Sequence, residues 1–261
     1  MHKRFRLFGF SMESVLKLIS IALACFAANA QPVDIFLLIG QSNMAGRGLV
    51  SDADRLPTPG IFAFSKEKTW IPAVDPIHFD RPDRTGVGLG RNFAATLISM
   101  KAATTVGLIP AAFGGSALHE WVPGSTHYVN AVERTKAALA AAGPNARLRG
   151  ILWHQGEADA NDEERAITYR LRFAKMIAAL RKDLGAESVP VIVGQLGEFV
   201  QTKDYSQLQR VNSELATLPL HIPLTAFVSS QRLKDKGDQL HFDSPSLKEF
   251  GRRYALAWLS F

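Results

Sequence analysis

The fold class predicted for this chain of 261 residues is an α/β three-layer α/β/α sandwich around a five-stranded parallel sheet. Three observations predict it. Five short apolar runs carry Val, Ile and Leu without alternation, as parallel strands covered on both faces do. Longer segments with apolar residues at helical spacing separate the runs, and strand alternating with helix builds an open parallel sheet. Polar segments, four of them with glycine, follow the strands, at the edge where such sheets bind ligands.

The elements follow in chain order. The first strand is Asp34–Ile39, stopped by Gly40. Residues Val50 to Arg84 fit neither period. They hold several prolines and the isolated aromatics Phe62, Phe64, Trp70 and Phe79, and read as a long excursion over the sheet's upper edge, with a short hairpin at Ile61–Phe64. A helix over Leu89–Ala102 leads to the second strand, Thr105–Ile109. The next helix, Val129–Ala141, stops at Gly143-Pro144 before the third strand, Arg149–Trp153. The longest helical segment is Glu163–Leu184, with a stripe of Ile167, Leu171, Ala174, Ile177, Ala178 and Leu180. Strand four is Val189–Val193, followed by a helix over Tyr205–Leu218. Strand five is Leu224–Val228, and a helix over Ser246–Leu259 closes the chain.

The first thirty residues are of a different kind. Lys3, Arg4, Arg6 and Lys17 precede or enter an apolar run, Leu18–Ala28, and Ala28-Asn29-Ala30 offers a small-residue cleavage site. This pattern predicts a secretory signal peptide over 1–30, too short in its apolar core for a membrane span. Met12 is an alternative start, and a lipid-attachment reading of Cys25 has poor flanks in Leu23 and Ala24. Cleavage removes the only cysteine, so the mature chain, 31–261, has no disulfide and depends on its core. The leader also carries +3 of the formal +6 charge, leaving +3 with no basic cluster. Nucleic acid is therefore not an expected partner, and no span is expected in the mature chain. No sequence feature fixes the oligomeric state.

The segments after the strands carry the chemistry. They are GQSN with Ser42, AAFGGSALHEW at 111–121, HQGEAD at 154–159, GQLGEF at 194–199 and, past a short loop, DQLHFD at 238–243. A serine hydroxyl needs a base, usually histidine, and the histidine needs a carboxylate to hold its tautomer. Ser42, His241 and Asp238 supply that set, the last two on one loop. Gly114-Gly115 can offer a backbone N–H to an oxyanion, and Gln155 a side-chain amide. Each feature alone has a plain explanation: a turn, a loop, a helix cap beside a surface histidine. Their arrival at one sheet edge favours catalysis. A metal reading of His119, His154 and His241 exists, but no HExxH or cysteine set accompanies them, so neither metal nor cofactor is expected. The GxSxG elbow of ordinary α/β-hydrolases is absent.

At these residues the chain resembles the SGNH/GDSL hydrolase superfamily, in its sialate O-acetylesterase-like branch, which includes the acetyl xylan esterases of carbohydrate esterase family six. The stretches that carry the resemblance are IGQSNMAGRG at 39–48, VGLIPAAFGGSALHEW at 106–121, ILWHQGEADA at 151–160 and DQLHFDSPSLKEFGRRYA at 238–255. They span almost the whole mature chain. The resemblance implies a flavodoxin-like strand order 2-1-3-4-5 and a serine esterase that removes acetyl groups from sugars. It implies Ser42 as nucleophile, His241 as base and Asp238 as orienting acid. It further implies an oxyanion hole from the N–H of Ser42, a glycine N–H at Gly115 or Gly114, and Gln155 where the superfamily has asparagine. Glu157 belongs to the branch's motif, either bracing its loop or contributing to catalysis. Gln41 and Asn43 are expected to brace the turn or the floor of the site. The expected partner is an acetylated carbohydrate. The alternatives are a lipid esterase or thioesterase on the same fold, and a catalytically silent carbohydrate-binding module.

Overall fold

The apolar runs pair side by side into one sheet. The computed structural model describes residues 33–200 and 203–261; the expected leader, its cleavage site and Cys25 lie outside the described residues. Seven strands form the sheet: β1 Asp34–Gly40, β2 Ile61–Phe64, β3 Trp70–Pro72, β4 Val106–Pro110, β5 Arg147–His154, β6 Val191–Gly194 and β7 Thr225–Val228. Their order is β3-β2-β4-β1-β5-β6-β7. All pairs are parallel except β2 with β3. The five expected strands stand in the relative order 2-1-3-4-5. The expected sheet of five parallel strands is nevertheless too small. Part of the 50–84 excursion joins it: β2 pairs in parallel with β4, Ile61 opposite Val106, and β3 returns antiparallel through the Ser65–Thr69 turn. All four β2 side chains are buried. Arg134 fastens the new edge by donating to the carbonyls of Phe64 (2.8 Å) and Ser65 (3.1 Å).

Helices cover both faces. They are α1 Ser42–Ala45, α2 Gly90–Ser99, α3 Thr126–Ala142, α4 Glu163–Ile167, α5 Tyr169–Leu184, α6 Leu208–His221 and α7 Ser244–Trp258. Successive side chains of β1 go to opposite faces, as the strand period demands. Ile35, Leu37 and Ile39 enter a core with residues of α3, α5 and α6. Phe36 and Leu38 enter another with Phe93 and Leu97 of α2 and Phe250 and Tyr254 of α7. Each fully buried aliphatic or aromatic side chain contributes roughly 1.5–3 kcal/mol.

The long helical segment is two helices. Thr168, at φ −90° and ψ 0°, interrupts it. Its hydroxyl bonds back to the Glu164 carbonyl (2.7 Å) and competes with the helix's own pattern. The phase resets there, so α5 buries Tyr169, Phe173, Met176, Ile177 and Leu180, whereas Ile167 and Leu171 of the expected stripe are exposed. Every parallel strand points its carboxyl end to one edge, and the loops that leave there meet over β1.

Candidate active site

Residue 40 must be glycine. Its φ is +132°, and a Cβ there would lie 2.1 Å from the carbonyl oxygen of His154 on the paired strand. The chain therefore leaves β1 pressed against β5, with the Gln41 N–H donating to that same carbonyl (2.9 Å). Ser42 then opens the single turn of α1. As the first residue of a helix its N–H has no intrahelical acceptor, and it has no other partner among the described residues.

Ser42 meets His241 across the edge. Ser42 Oγ lies 3.0 Å from His241 Nε2, and His241 Nδ1 lies 2.7 Å from Asp238 Oδ2. In the neutral tautomer protonated at Nδ1, the ring donates to Asp238 and accepts from Ser42. The Asp238 Oδ1 accepts the backbone N–H groups of Leu240 (3.1 Å) and His241 (2.8 Å). Burial alone would raise this carboxyl, but those two amides and the imidazole outweigh it and hold it at about 2. The loop is stiffened further by Asp235, whose Oδ2 accepts from Gly237 and Gln239.

Asn43 holds the same loop from below. Its Oδ1 accepts the Phe242 N–H (3.1 Å), and its Nδ2 donates to the Leu240 carbonyl (3.2 Å) and to Glu157 Oε1 (2.7 Å). The residues on either side of His241 are thus fixed to the residue after Ser42. Glu157 is buried, and its other contact is His154 Nε2 at 3.7 Å. Burial would raise its carboxyl; His154 and Asn43 more than offset that and hold it below the ordinary value. It reaches Asn43 across the site, its own backbone amide also holds its carboxyl down, and it does not touch His241. Gln41 Oε1 accepts the backbone N–H groups of Gly156 and Ala158 (both 3.3 Å), linking the turn after β1 to the loop after β5.

The two glycines after β4 have different reasons. Gly114 leaves no room for a Cβ, which would lie 2.4 Å from Arg47 Nη2. Its N–H is taken by Asp80 Oδ2 (2.8 Å), which Arg47 also grips (3.0 Å). Gly115 has φ +83°, and its N–H has no partner among the described residues. Of the two, Gly115 is the available donor.

Gln155 is a correction. It is fully buried, and its amide is spent: Nε2 donates to the Ser116 carbonyl (3.1 Å) and to Asp159 Oδ2 (2.7 Å). Its Oε1 lies 2.9 Å from the Tyr169 hydroxyl. An NH₂ group has two hydrogens, so none remains for an oxyanion. Gln155 joins the loops after β4 and β5 beneath the site instead.

A cavity of about 820 Å³ lies over these groups, with Gln41, Ser42, Arg81, Gly115, Tyr205 and His241 in its wall. Every loop after β1, β4, β5, β6 and β7 contributes. The loop after β6 does so through Tyr205, not through GQLGEF, whose Gln195 is bonded to Ser229 and Ser230 of the next loop. Sequence reasoning gives no role to Arg47, Asp80, Arg81 or Tyr205; only Arg47 lies in one of the motifs. Of the three histidines open to a metal reading, His119 is exposed, His154 is buried against Phe242 and Phe250, and His241 faces Ser42. Among the described residues no group of three or more His, Cys, Asp or Glu could hold a metal ion.

Known proteins share this fold and sequence pattern. The family described as carbohydrate esterase, sialic acid-specific acetylesterase, matches residues 32–260. A probable carbohydrate esterase of Arabidopsis thaliana is 30% identical over 247 residues, covering 88% of this chain and 91% of the relative. The X-ray structure of that plant protein superposes with a TM-score of 0.78, covering 88% of this chain and 98% of its own. NanS shares the fold at 18% identity and a TM-score of 0.73, with 89% and 98% of the two chains covered. A carbohydrate acetylesterase from Xanthomonas citri shares it at 22% identity and 0.61, covering 86% of this chain and 55% of that one. With a family match over nearly all of the described chain, this protein belongs to the carbohydrate esterase, sialic acid-specific acetylesterase family and is a carboxylic ester hydrolase.

Proposed function

We propose that the protein is a serine esterase that hydrolyses O-acetyl groups on carbohydrates, with Ser42, His241 and Asp238 as its triad. One observation carries the reading: the chain of contacts from Ser42 Oγ to His241 Nε2 (3.0 Å) and from Nδ1 to Asp238 (2.7 Å). His241 takes the proton of Ser42 as Oγ attacks the acetyl carbonyl. The oxyanion that forms is met by the N–H groups of Ser42 and Gly115, both otherwise unpartnered among the described residues. The tetrahedral adduct collapses, and His241 returns the proton to the departing sugar oxygen. Water, deprotonated by His241, then attacks acetyl-Ser42 and releases acetate.

A sugar is favoured as the alcohol because the cavity wall carries side chains that can hydrogen-bond its hydroxyls, Gln41, Arg81 and Tyr205 among them. The test is Ser42→Ala, with acetate release from acetylated xylan and from acetylated sialic acid as the measure. Activity should fall by at least about a thousandfold, and a serine-directed organophosphonate should label Ser42 in the wild type. Residual kcat above about a tenth would overturn the nucleophile. Acetyl esters should also be cleaved faster than butyryl and far faster than octanoyl esters, since each misfitted methylene costs roughly 1–3 kcal/mol. Equal turnover of octanoyl esters would favour a lipid substrate. The leader adds a proposal about place: the enzyme works after export. N-terminal sequencing of the mature protein should then begin at Gln31, and a mature chain starting at Met1 or Met12 would refute it.

A further inference from the structure

The free donor at Gly115 and the carbonyl of Gly114 belong to one peptide unit. A trans peptide is planar, with C=O and N–H pointing in opposite directions. Whatever holds the carbonyl therefore aims the N–H. Here the carbonyl of Gly114 accepts a hydrogen bond from Arg81 Nη2 (3.2 Å). The guanidinium lies over the Phe113 ring, 5.7 Å from its centroid, and that ring is stacked on His127 at 4.4 Å. Arg81 forms no ion pair among the described residues, so no carboxylate there competes with this carbonyl for its donors. The preceding peptide is held by the opposite charge, the Gly114 N–H on Asp80.

We propose that Arg81 is a positioning residue for acyl transfer: bonded to the Gly114 carbonyl, it fixes the plane of the 114–115 peptide and polarises it, so that the Gly115 N–H is a stronger oxyanion donor. The proposal rests on the reading of Ser42 and Gly115 given above. The physical grounds are two. Hydrogen bonds from a charged donor are about twice as strong as neutral ones, and each bond in a chain strengthens the next by roughly 10–30%. The effect grows as negative charge develops on the substrate oxygen, so it stabilises the transition state more than the bound ester.

The bond is not needed to hold the loop. Asp80 and Arg47 anchor Gly114 on the buried side. The Ser116 hydroxyl donates to the Phe113 carbonyl (2.8 Å), Trp121 Nε1 donates to that hydroxyl (2.9 Å), and Gln155 holds the Ser116 carbonyl. Arg81 is the exposed member of this set.

The experiment compares full-length wild type, Arg81→Met and Arg81→Lys on p-nitrophenyl acetate, which carries no sugar. Methionine keeps the packing on Phe113 and removes the donor. The kcat of Arg81→Met should fall roughly tenfold, a fraction of the hundredfold or more lost with a whole oxyanion donor, while KM and Tm stay nearly constant. Affinity for phenylboronic acid, which forms a tetrahedral anion on the serine, should weaken by the same factor. Arg81→Lys should recover part of both. An unchanged kcat, with only KM on acetylated glycans raised, would make Arg81 a sugar contact and overturn the proposal. A loss matched by a lower Tm and not recovered by lysine would make it a structural contact and overturn the proposal equally. A wild type that neither cleaves p-nitrophenyl acetate nor reacts with an organophosphonate at Ser42 would instead sink the triad reading, and this inference with it.

Discussion

Asp238 and Glu157 stand at the same sheet edge, but only Asp238 touches the imidazole, at 2.7 Å; Glu157 reaches the loop through Asn43. The two carboxylates should therefore fail differently. Asp238→Asn keeps an acceptor for the amides of Leu240 and His241, yet presents an NH₂ to Nδ1 and stabilises the wrong tautomer. A loss on the order of 10⁴ in kcat is expected with the fold intact. Glu157→Gln shifts Asn43 and, through it, the His241 loop, with a loss of about tenfold to a hundredfold. Steady-state kinetics of both on one acetyl ester decide it, and a worse Glu157→Gln would move the acid's role to Glu157. A second prediction follows from the charge of Asp238. Its carboxyl is held at about 2, so it stays ionised across the working range. The acid limb of kcat/KM must then report protonation of the imidazole, which cannot accept from Ser42 once charged. One proton, taken up by the proposed base, should therefore govern that limb, because Asp238 is already ionised there; a limb governed by two protons would show that Asp238 is not held ionised. Ser42, Asp238 and His241 can be picked out of the sequence together because a proposed nucleophile, base and acid need particular residue types in particular loops, and the structure brings the three into one chain of contacts. Gln155 is misread from sequence because a donor's availability depends on its partners, Asp159 and Ser116, which no local pattern reveals. Arg47, Asp80 and Arg81 escape for the same reason: Asp80 and Arg81 lie in the irregular 50–84 segment, more than 30 residues from the glycine loop they hold.

At the scale of elements, α7 does two jobs. It covers one face of the sheet with Phe250 and Tyr254, and it ends the loop that presents His241. Its N-cap, Asp243, accepts the Ser246 N–H (2.8 Å), and Pro245 occupies the first turn, where a missing N–H costs nothing. The Asp243 N–H donates to the Lys234 carbonyl (3.0 Å), and the Lys234 N–H to Ser246 Oγ (2.7 Å), so the cap also closes the His241 loop on itself. Asp243→Ala should lower stability by about 0.5–2 kcal/mol in urea unfolding and lower kcat more than KM, since the base loses its fixed position. A variant that loses stability while kcat is unchanged would separate the cap from the loop. The strands and helices are legible wherever packing follows the period: the largely buried β1, β4 and β6, the carboxyl half of β5, the half-buried β7, and the stripes of α2 and α7. Elements whose reason lies elsewhere are not. β2 is a strand because β4 offers it a free edge and Arg134 ties its last carbonyls. The break at Thr168 is one side-chain hydrogen bond, invisible to a stripe of apolar residues that runs through it.

At the scale of the whole molecule, two buried groups of the excursion, His78 and Asp75, answer to pH in opposite senses. His78 is fully enclosed; burial drives its imidazole down to about 3, the field of Asp80 notwithstanding. Its folded value lies below the unfolded one of about 6.5, so the unfolded chain binds the extra proton. The stabilisation is then present above about pH 6.5 and is lost as pH falls toward about 3. Asp75 runs the other way. Burial, only partly offset by Arg91, raises its carboxyl to about 6. Its contribution is present below the unfolded value of about 3.9 and is lost as pH rises through about 6. Between pH 6 and 4 the two groups oppose each other, and the urea midpoint should change little. Below about pH 4 the gain from Asp75 is complete, while His78, Asp238, Asp54 and Glu249, the last three held at about 2, all lose stabilisation together. Stability should therefore drop steeply from about pH 4 downward. His78→Gln removes one of the opposed pair, so its urea midpoint should rise as pH is lowered from about 6 to 4, where the wild type stays level. A variant whose pH profile matches the wild type in that window would show that His78 is not titrating between the two states, and that the plateau has another origin.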